Sequence, residues 1–487
     1  MKILLKISLL LLSFSALPVF SAEKPNIILV MTDDQGYGDV GAHGHPFLKT
    51  PHMDALHAKS VRLTNFHVSP TCAPTRAALM SGMSPFKVGV THTVLERERM
   101  ALGYETVADV LKTAGYTTGI FGKWHLGDAD EYQPDRRGFD EVFIHGAGGI
   151  GQRFPGSQGA VPGTSYFDPI IRHNGSFVET EGYCTDVFFQ QALGWIKEKS
   201  DKKEPFFAYI PTNAPHSPFI APKEYESLYD AKEPNKKSSI FFGMITNIDD
   251  NLGLLMKKLK DWEIEGNTLL IFMTDNGSAR GAPVFNAGMN GKKGSIHEGG
   301  SRVPFFWYWK GRHEGGKDID AMGRHIDVLP TLAELTGAKL PEKNEAEGRS
   351  LYGVIDGKDK DLPHRYLFFH GGRWFGLKDY KANPKMAVPN PDDFKDKLFA
   401  VRDEKWRLVE EQLFDLEADP GEKTDVAAKH PEVVAKMKAA YDVWWKESRP
   451  GMVNESANLN TGKPFVDAFK KQKEKGGLLK WEHPRIR

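Results

Sequence analysis

Three apolar runs that each stop at a cluster of polar residues constrain this chain more than any other feature. Ile27-Ile28-Leu29-Val30-Met31 ends at Thr32-Asp33-Asp34, and Leu269-Leu270-Ile271-Phe272-Met273 ends at Thr274-Asp275-Asn276-Gly277. Phe206-Phe207-Ala208-Tyr209-Ile210 ends at Pro211-Thr212 and soon reaches His216. Continuous rather than alternating apolar runs suit strands buried on both faces, the habit of parallel sheets. Helical patterns lie around them at 51–59, at 106–114 with Gly115 as stop, at 185–199, at 245–262, and at 327–335 closed by Gly337. Strands alternating with helices predict an α/β fold, a large, mixed, mostly parallel sheet sandwiched by helices.

After residue 361 the texture changes. Short apolar segments at 366–369, 398–401, 406–409 and 412–416 read as antiparallel strands, and a helix is expected over 431–446. The predicted organisation is a main domain over 22–361, a smaller α+β subdomain over 362–450 and a polar, loosely held tail over 451–487. Residues 1–21 read differently. Lys2 and Lys6 precede an apolar run from Ile7 to Phe20, and Val19 and Ser21 supply the small residues of a cleavage site before Ala22. That pattern predicts a secretory signal peptide, hence a periplasmic or secreted protein. The run is short for a bilayer span of about 20 residues, and no later stretch has the composition of one, so no stable membrane span is expected.

Composition narrows the function classes. Lys and Arg total 64 against 64 for Asp and Glu, which leaves no basic footprint for nucleic acid. The two cysteines, Cys72 and Cys184, are too few for a disulfide framework or a thiolate zinc cluster. A single Cys72–Cys184 bridge in an oxidising compartment stays open as a reading.

In open α/β sheets, ligands bind beyond the carboxyl ends of the strands. Those ends carry Asp33, Asp34, Asp275 and Asn276, an oxygen-rich set of the kind hard divalent cations prefer. One Asp pair after a strand is equally turn or cap chemistry; its recurrence after a second strand favours a ligand set. The sharpest segment is Ser69-Pro70-Thr71-Cys72-Ala73-Pro74-Thr75-Arg76, continuing to Gly82. Pro74 near the start and Gly82 past the end frame a short helix with Cys72 at its N-terminus, a place that favours anions. Arg76 follows one turn later on the same face.

Cys72-x-Pro74-x-Arg76, extended from Ala77 to Gly82, resembles the signature of the formylglycine-dependent (type I, arylsulfatase-like) sulfatases of the alkaline-phosphatase-like superfamily. Further segments follow in the family's order: Pro25-Asn26-Ile27 through Asp33-Asp34-Gln35-Gly36, Gly122-Lys123-Trp124-His125-Leu126-Gly127, Pro215-His216-Ser217-Pro218, Asp275-Asn276-Gly277, and Lys293-Gly294-Ser295 through Pro304. Leu413-Phe414-Asp415-Leu416 resembles part of the family's C-terminal subdomain.

The resemblance implies roles at these positions. Asp33, Asp34, Asp275 and Asn276 would bind one Ca²⁺, joined by Cys72 after its oxidation to formylglycine by a formylglycine-generating maturation enzyme. Arg76 would hold the formylglycine with His125 bonded to it, while Lys123, His216 and Lys293 would grip the sulfate and its bridging oxygen. Lys292 doubles the lysine before Gly294, leaving open which one points inward. An aldehyde hydrate offers two hydroxyls on one carbon: one attacks sulfur, and the second collapses to release sulfate by breaking C–O. A serine in that place would stay sulfated. Sulfate monoesters are inert enough to need this equipment.

The implied substrate is a sulfated carbohydrate or polysaccharide. Two other readings use the same residues differently: a phosphomonoester or phosphonate-ester hydrolase on the same scaffold, and a non-catalytic glycan-binding relative, which would have no use for a nucleophile. Outside the motifs, His43, His45, His52, His67 and His92 read as capping or surface histidines, with His92 a candidate to face the pocket. Phe305-Phe306-Trp307-Tyr308-Trp309 reads as a buried strand rather than a sugar platform. Arg153, His173, Arg312 and Trp374 are loop and subdomain candidates for substrate contact.

Overall fold

The computed structural model describes residues 24–94, 97–151, 161–233, 235–342, 346–374, 390–452 and 463–486. The expected leader over 1–21 and the candidate Arg153 lie outside the described residues.

All three apolar runs are strands, and they are neighbours. Asn26–Thr32 pairs in parallel with Phe206–Pro211 on one side and with Thr268–Thr274 on the other. Thr117–Lys123 and Glu141–His145 extend the parallel block. The full sheet has eleven strands. Its order runs Lys317–Ile319, Val61–Leu63, Phe305–Trp309, Thr268–Thr274, Asn26–Thr32, Phe206–Pro211, Thr117–Lys123, Glu141–His145, Ile170–His173, Ser176–Glu179 and Leu479–Lys480. Antiparallel pairings flank the parallel block on both sides.

Alternate residues of the first strand enter different cores, which is why its sequence is apolar without alternation. Ile27, Leu29 and Met31 pack with helices Cys72–Ser81, Val107–Lys112 and Val328–Thr336. Ile28 and Val30 pack with helices Pro51–Lys59, Cys184–Asp201 and Lys236–Asp261 on the opposite face. Two layers of helices thus enclose the sheet, as expected. Phe305–Trp309 is indeed a largely buried strand of this sheet.

Four antiparallel strands, Leu367–His370, Phe399–Arg402, Trp406–Val409 and Gln412–Asp415, form a second sheet in sequence order. Helix Pro431–Ser448 covers one face through Met437, Tyr441, Trp444 and Trp445, which pack with Phe399, Val401 and Leu408. The tail differs from a loose polar segment. Pro464–Gly476 is a helix that buries Phe465, Val466 and Phe469, and Leu479–Lys480 adds a strand to the main sheet beside Ser176–Glu179. The apolar spacing of Phe465, Val466 and Phe469 is the signal the tail's overall polarity hides.

Candidate active site

The carboxyl ends of the parallel strands meet at one buried cluster. Asp33 follows the first strand, Asp275 and Asn276 follow Thr268–Thr274, Lys123 closes Thr117–Lys123, and His216 lies just past Phe206–Pro211. Asp33, Asp275, Asn276 and Lys123 have no exposed surface at all. Backbone bonds stitch the strand ends together: Asp275 N–H donates to the Thr32 carbonyl at 3.1 Å, and Asp33 N–H to Ala214 at 3.2 Å. Gly277 is required here, because a Cβ at that position would fall 1.9 Å from the Gly299 carbonyl oxygen.

Cys72 opens helix Cys72–Ser81, all ten residues of which are buried. Gly82 ends the helix at φ 67°, its N–H bonded to Ala78 at 2.9 Å. Cys72 and Cys184 are both unbridged and buried, so the alternative of a disulfide between them is not realised. The thiol is not activated as the helix N-terminus suggested: burial pushes its pKa up, and the nearby Lys123 and Lys293 offset that only in part.

Three carboxylates face three side-chain cations. Lys123 Nζ donates to Asp33 Oδ2 at 2.6 Å, Arg76 Nη2 to Asp275 Oδ2 at 2.7 Å, and Lys293 Nζ to Asp34 Oδ2 at 2.6 Å. Arg76 also holds the Lys123 carbonyl at 2.9 Å, tying the helix of Cys72 to the strand of Lys123. Lys293 is the inward lysine of its pair; Lys292 is exposed. The Asp34 carboxyl is pushed up by burial, but Lys293, His216 and Lys123 outweigh that and hold it well below the usual range. Asp33, more deeply desolvated and flanked by Asp275 and Asp34, is raised despite Lys123.

Both histidines are fixed through one ring nitrogen. His125 Nε2 lies 2.9 Å from the Thr93 carbonyl, and Nδ1 has no partner among the described residues. His216 Nδ1 sits 2.6 Å from the Ser217 carbonyl, which turns Nε2 to within 3.9 Å of Asp34 Oδ2. Burial, followed by Lys123 for His125 and Lys293 for His216, lowers both rings well below the ordinary histidine value. Two residues here hold left-handed backbone without being glycine, Asp34 at φ 73° and His125 at φ 59°. Such conformations cost about 1–3 kcal/mol each and cluster at functional sites.

The ligand set expected for a cation fits the donors present. Asp33, Cys72 and Asp275 place one ligand atom each within 4.8 Å of one another. Among the described residues Asp33 Oδ1 and Asn276 Oδ1 are buried with no hydrogen-bond donor, Arg76 Nη2 coming only to 3.9 Å of the former, a costly arrangement unless a cation meets them. Asn276 is oriented by donating its amide to Asp34 Oδ1 at 3.0 Å, which presents the carbonyl oxygen rather than the nitrogen.

Every motif residue, namely Cys72, Arg76, Lys123, His125, His216, Lys293 and the four oxygen ligands, is gathered in this cluster. The described loop candidates are not. His173 pairs with Glu141 at 2.7 Å, near the amino end of the parallel strand Glu141–His145. Arg312 follows Phe305–Trp309, whose end lies beside Leu269 at the start of its antiparallel neighbour, and it binds Asp356. Trp374 is buried against Phe86 and Phe394. Of the weak histidines, His67 is buried and bonded to Asn65, and His43 stacks on Tyr37.

The supporting shell was not read from sequence. The Tyr166 hydroxyl donates to the His216 carbonyl, and Asn213 Nδ2 reaches that hydroxyl at 2.5 Å, bracing the histidine loop. Gly148 lies so close to His125 that a Cβ there would fall 2.5 Å from Nε2. Asn213, three residues before His216, carried a proximity signal; Tyr166 carried none.

A buried nucleophile position, an oxygen-lined cation site and converging lysines and histidines define a hydrolase of anionic esters. The chain belongs to the sulfatase family, within the alkaline-phosphatase-like superfamily, and is a sulfuric ester hydrolase: the Sulfatase family matches residues 25–338, and the family described as N-sulphoglucosamine sulphohydrolase, C-terminal, matches residues 290–443. N-acetylgalactosamine-6-sulfatase of Sus scrofa is 30% identical over 399 residues, covering 77% of this chain and 74% of that protein. Arylsulfatase A of Bos taurus is 29% identical over 457 residues, 85% of each. The solved structure of Ps i-CgsB in complex with k-i-k-neocarrahexaose superposes with a TM-score of 0.74 at 27% identity, covering 93% of this chain and 98% of that one.

Proposed function

We propose that this protein is an exported sulfatase that removes sulfate esters from carbohydrate, using formylglycine made from Cys72 and one Ca²⁺. The observation that carries the reading is the convergence of Asp33, Asp34, Asp275, Asn276, Arg76, Lys123, His125, His216 and Lys293 around a buried Cys72. A carbohydrate substrate is supported by the relatives, one named for N-acetylgalactosamine 6-sulfate and another solved with a neocarrahexaose. Export is supported by the sequence of residues 1–21, and among the described residues no helix is long and apolar enough to cross a membrane.

Asp33, Asp34, Asp275 and Asn276 would hold the ion, with the modified Cys72 beside them. Hydrated formylglycine supplies a nucleophilic hydroxyl, and the ion supplies positive charge that lowers that hydroxyl's pKa and offsets charge on the ester oxygens. The chain's own groups do the rest. Lys123 and Lys293 bring fixed ammonium groups to the non-reacting oxygens in a largely buried site, where such contacts are stronger than in water. Arg76 fixes the helix of Cys72 against Asp275. His216, anchored through Nδ1, presents Nε2 beside Asp34 and Lys293. Burial and Lys293 disfavour its charged form, so Nε2 must take up a proton as the anionic ester binds. On that condition we assign it chiefly the protonation of the leaving oxygen, with Lys293 alongside.

The three carboxylates and three cations cancel in charge, so a bound divalent ion leaves the site with two positive charges to receive a monoanionic sulfate ester. The experiment is a panel of defined sulfated oligosaccharides, with phosphate and phosphonate esters at equal metal as the competing arm. Sulfate release from one saccharide well above every phosphorus ester supports the reading; the reverse order overturns it.

A further inference from the structure

Ten residues beyond Cys72, at the far end of its helix, a cavity of about 420 Å³ opens at the seam between the main domain and the antiparallel sheet. At about 1.5 Å per residue it begins roughly 15 Å from the nucleophile position. Arg324, Arg349 and Arg365 line it together with Ser84. Asp327 is the single carboxylate that binds any of these three guanidinium groups among the described residues, and it is taken by Arg365, whose Nη1 lies 2.8 Å from Oδ1.

Arg324 is 4% exposed and has no carboxylate partner among the described residues. Its side chain donates to the Phe368 carbonyl at 2.6 Å, and among the described residues its Nε has no acceptor. Burial and the adjacent Arg365 bring its pKa down to about 10, outweighing the opposite pull of Glu347 and Asp327. Arg349 gives one hydrogen bond from each terminal nitrogen to the carbonyls of Pro363 and His364, which leaves donors over for an anion. Among the described residues the Ser84 hydroxyl and Arg365 Nε are buried without a partner. Two glutamates also line the cavity, and both are engaged by Lys87, Glu347 at 2.5 Å and Glu447 at 3.0 Å.

Part of the lining is apolar. Trp444 stacks on Phe368 with ring centres 5.4 Å apart, and Val443 beside it is 58% exposed. A buried guanidinium without a counter-ion is costly unless an anion completes it, and planar guanidinium groups match the oxygens of sulfate and carboxylate. An aromatic and aliphatic wall suits the apolar face of a sugar ring.

We propose that this cavity is an accessory binding site for an acidic saccharide, its sulfate or carboxylate held by Arg324 and Arg349 and its ring against Val443 and Trp444. It lies apart from the reaction centre, so a polymeric substrate, on the sulfatase reading above, would be held at two places.

The test is equilibrium binding to full-length protein carrying Cys72→Ala, which removes turnover, with a chondroitin 6-sulfate hexasaccharide and with inorganic sulfate as separate probes. The added variants are Arg349→Ser and Val443→Glu, both away from the buried core. Arg349→Ser and Val443→Glu are each expected to weaken one class of hexasaccharide site about ten-fold or more and leave the other class intact. In protein retaining Cys72, the same substitutions should leave kcat/KM for an aryl sulfate unchanged, which separates this proposal from the sulfatase reading. Unaltered hexasaccharide binding in both variants overturns the proposal. So does weakening confined to inorganic sulfate, which would mark the cavity as a site for the free ion.

Discussion

Arg407 Nη1 donates to Glu298 Oε1 at 2.6 Å, joining the C-terminal sheet to the segment that carries Lys293. Arg407 also holds the Ile296 carbonyl, and Arg402 Nε reaches the same Glu298 oxygen at 2.7 Å. From the other side, Lys293 N–H bonds to Ser278 at 3.2 Å and Gly294 N–H to Pro70 at 2.8 Å. The segment is therefore fixed both to the strand that ends at Asp275 and to the residues that lead into Cys72. In this fold the small domain braces the site.

Breaking that brace is expected to cost stability and to do so in a pH-dependent way. Burial alone would raise the Glu298 carboxyl, but Arg402, His67 and Arg407 outweigh it and hold it well below the usual range. A depressed carboxyl contributes stability above its unfolded pKa of about 4.3, and that contribution is lost as pH falls below this value. Glu298→Gln should thus destabilise the protein by about 3 kcal/mol at pH 7, the lower end for a buried pair broken on one side. Urea unfolding of both proteins should show the gap narrowing below about pH 4. A gap independent of pH would mean that Glu298 acts by packing and not by charge.

Gly148→Ala tests the fit around His125. A Cβ at 148 would lie 2.5 Å from His125 Nε2, so the ring must leave its place against the Thr93 carbonyl. A displacement of that order typically costs about 10²-fold in rate. The expected result is a fall of that size in kcat with an unchanged circular dichroism spectrum. Wild-type kcat in a folded variant would remove His125 from the chemistry.

The parallel core was legible because its strands are buried on both faces; Ile27 through Met31 permits few other readings. Cys72, Arg76, Lys123, His125 and His216 could be proposed because each sits in a short motif near a strand end or helix start, and Lys293 because its segment resembles a family motif. Tyr166, Asn213, Arg407 and Glu298 could not. They act through contacts made across long stretches of chain, such as the 109 residues between Glu298 and Arg407, and no local pattern records such a pairing. The tail helix Pro464–Gly476 was missed because its three buried apolar residues, two of them docking on Phe177, were outweighed by the lysines around them.

The donor set predicts a hard cation. Chelation should abolish turnover, Ca²⁺ should restore it best, and Mg²⁺ should substitute less well. An activity-independent check is thermal unfolding: free Ca²⁺ at about 100 times its Kd should add about 2.7 kcal/mol of stability. Asp275→Asn should reduce that gain sharply. A Tm insensitive to Ca²⁺, or stoichiometric Zn²⁺ in active protein, would contradict the assignment.

His216 is expected to matter in proportion to how badly the leaving group needs a proton. A sugar alkoxide needs one and an activated phenolate does not. His216→Ala should lose about 10²–10⁴-fold on a sugar sulfate and much less on an aryl sulfate. Equal losses on both would show that Nε2 holds sulfate and that the proton comes from another group, with Lys293, bonded to the same Asp34 oxygen, the first candidate.

Whether Cys72 becomes the reacting group is decided by mass spectrometry of active protein purified with its maturation enzyme. The peptide containing Cys72 should carry an aldehyde, the peptide containing Cys184 an unmodified thiol, and the aldehyde fraction should track sulfate released per molecule across preparations. Full activity in protein whose Cys72 is entirely an intact thiol would contradict the account.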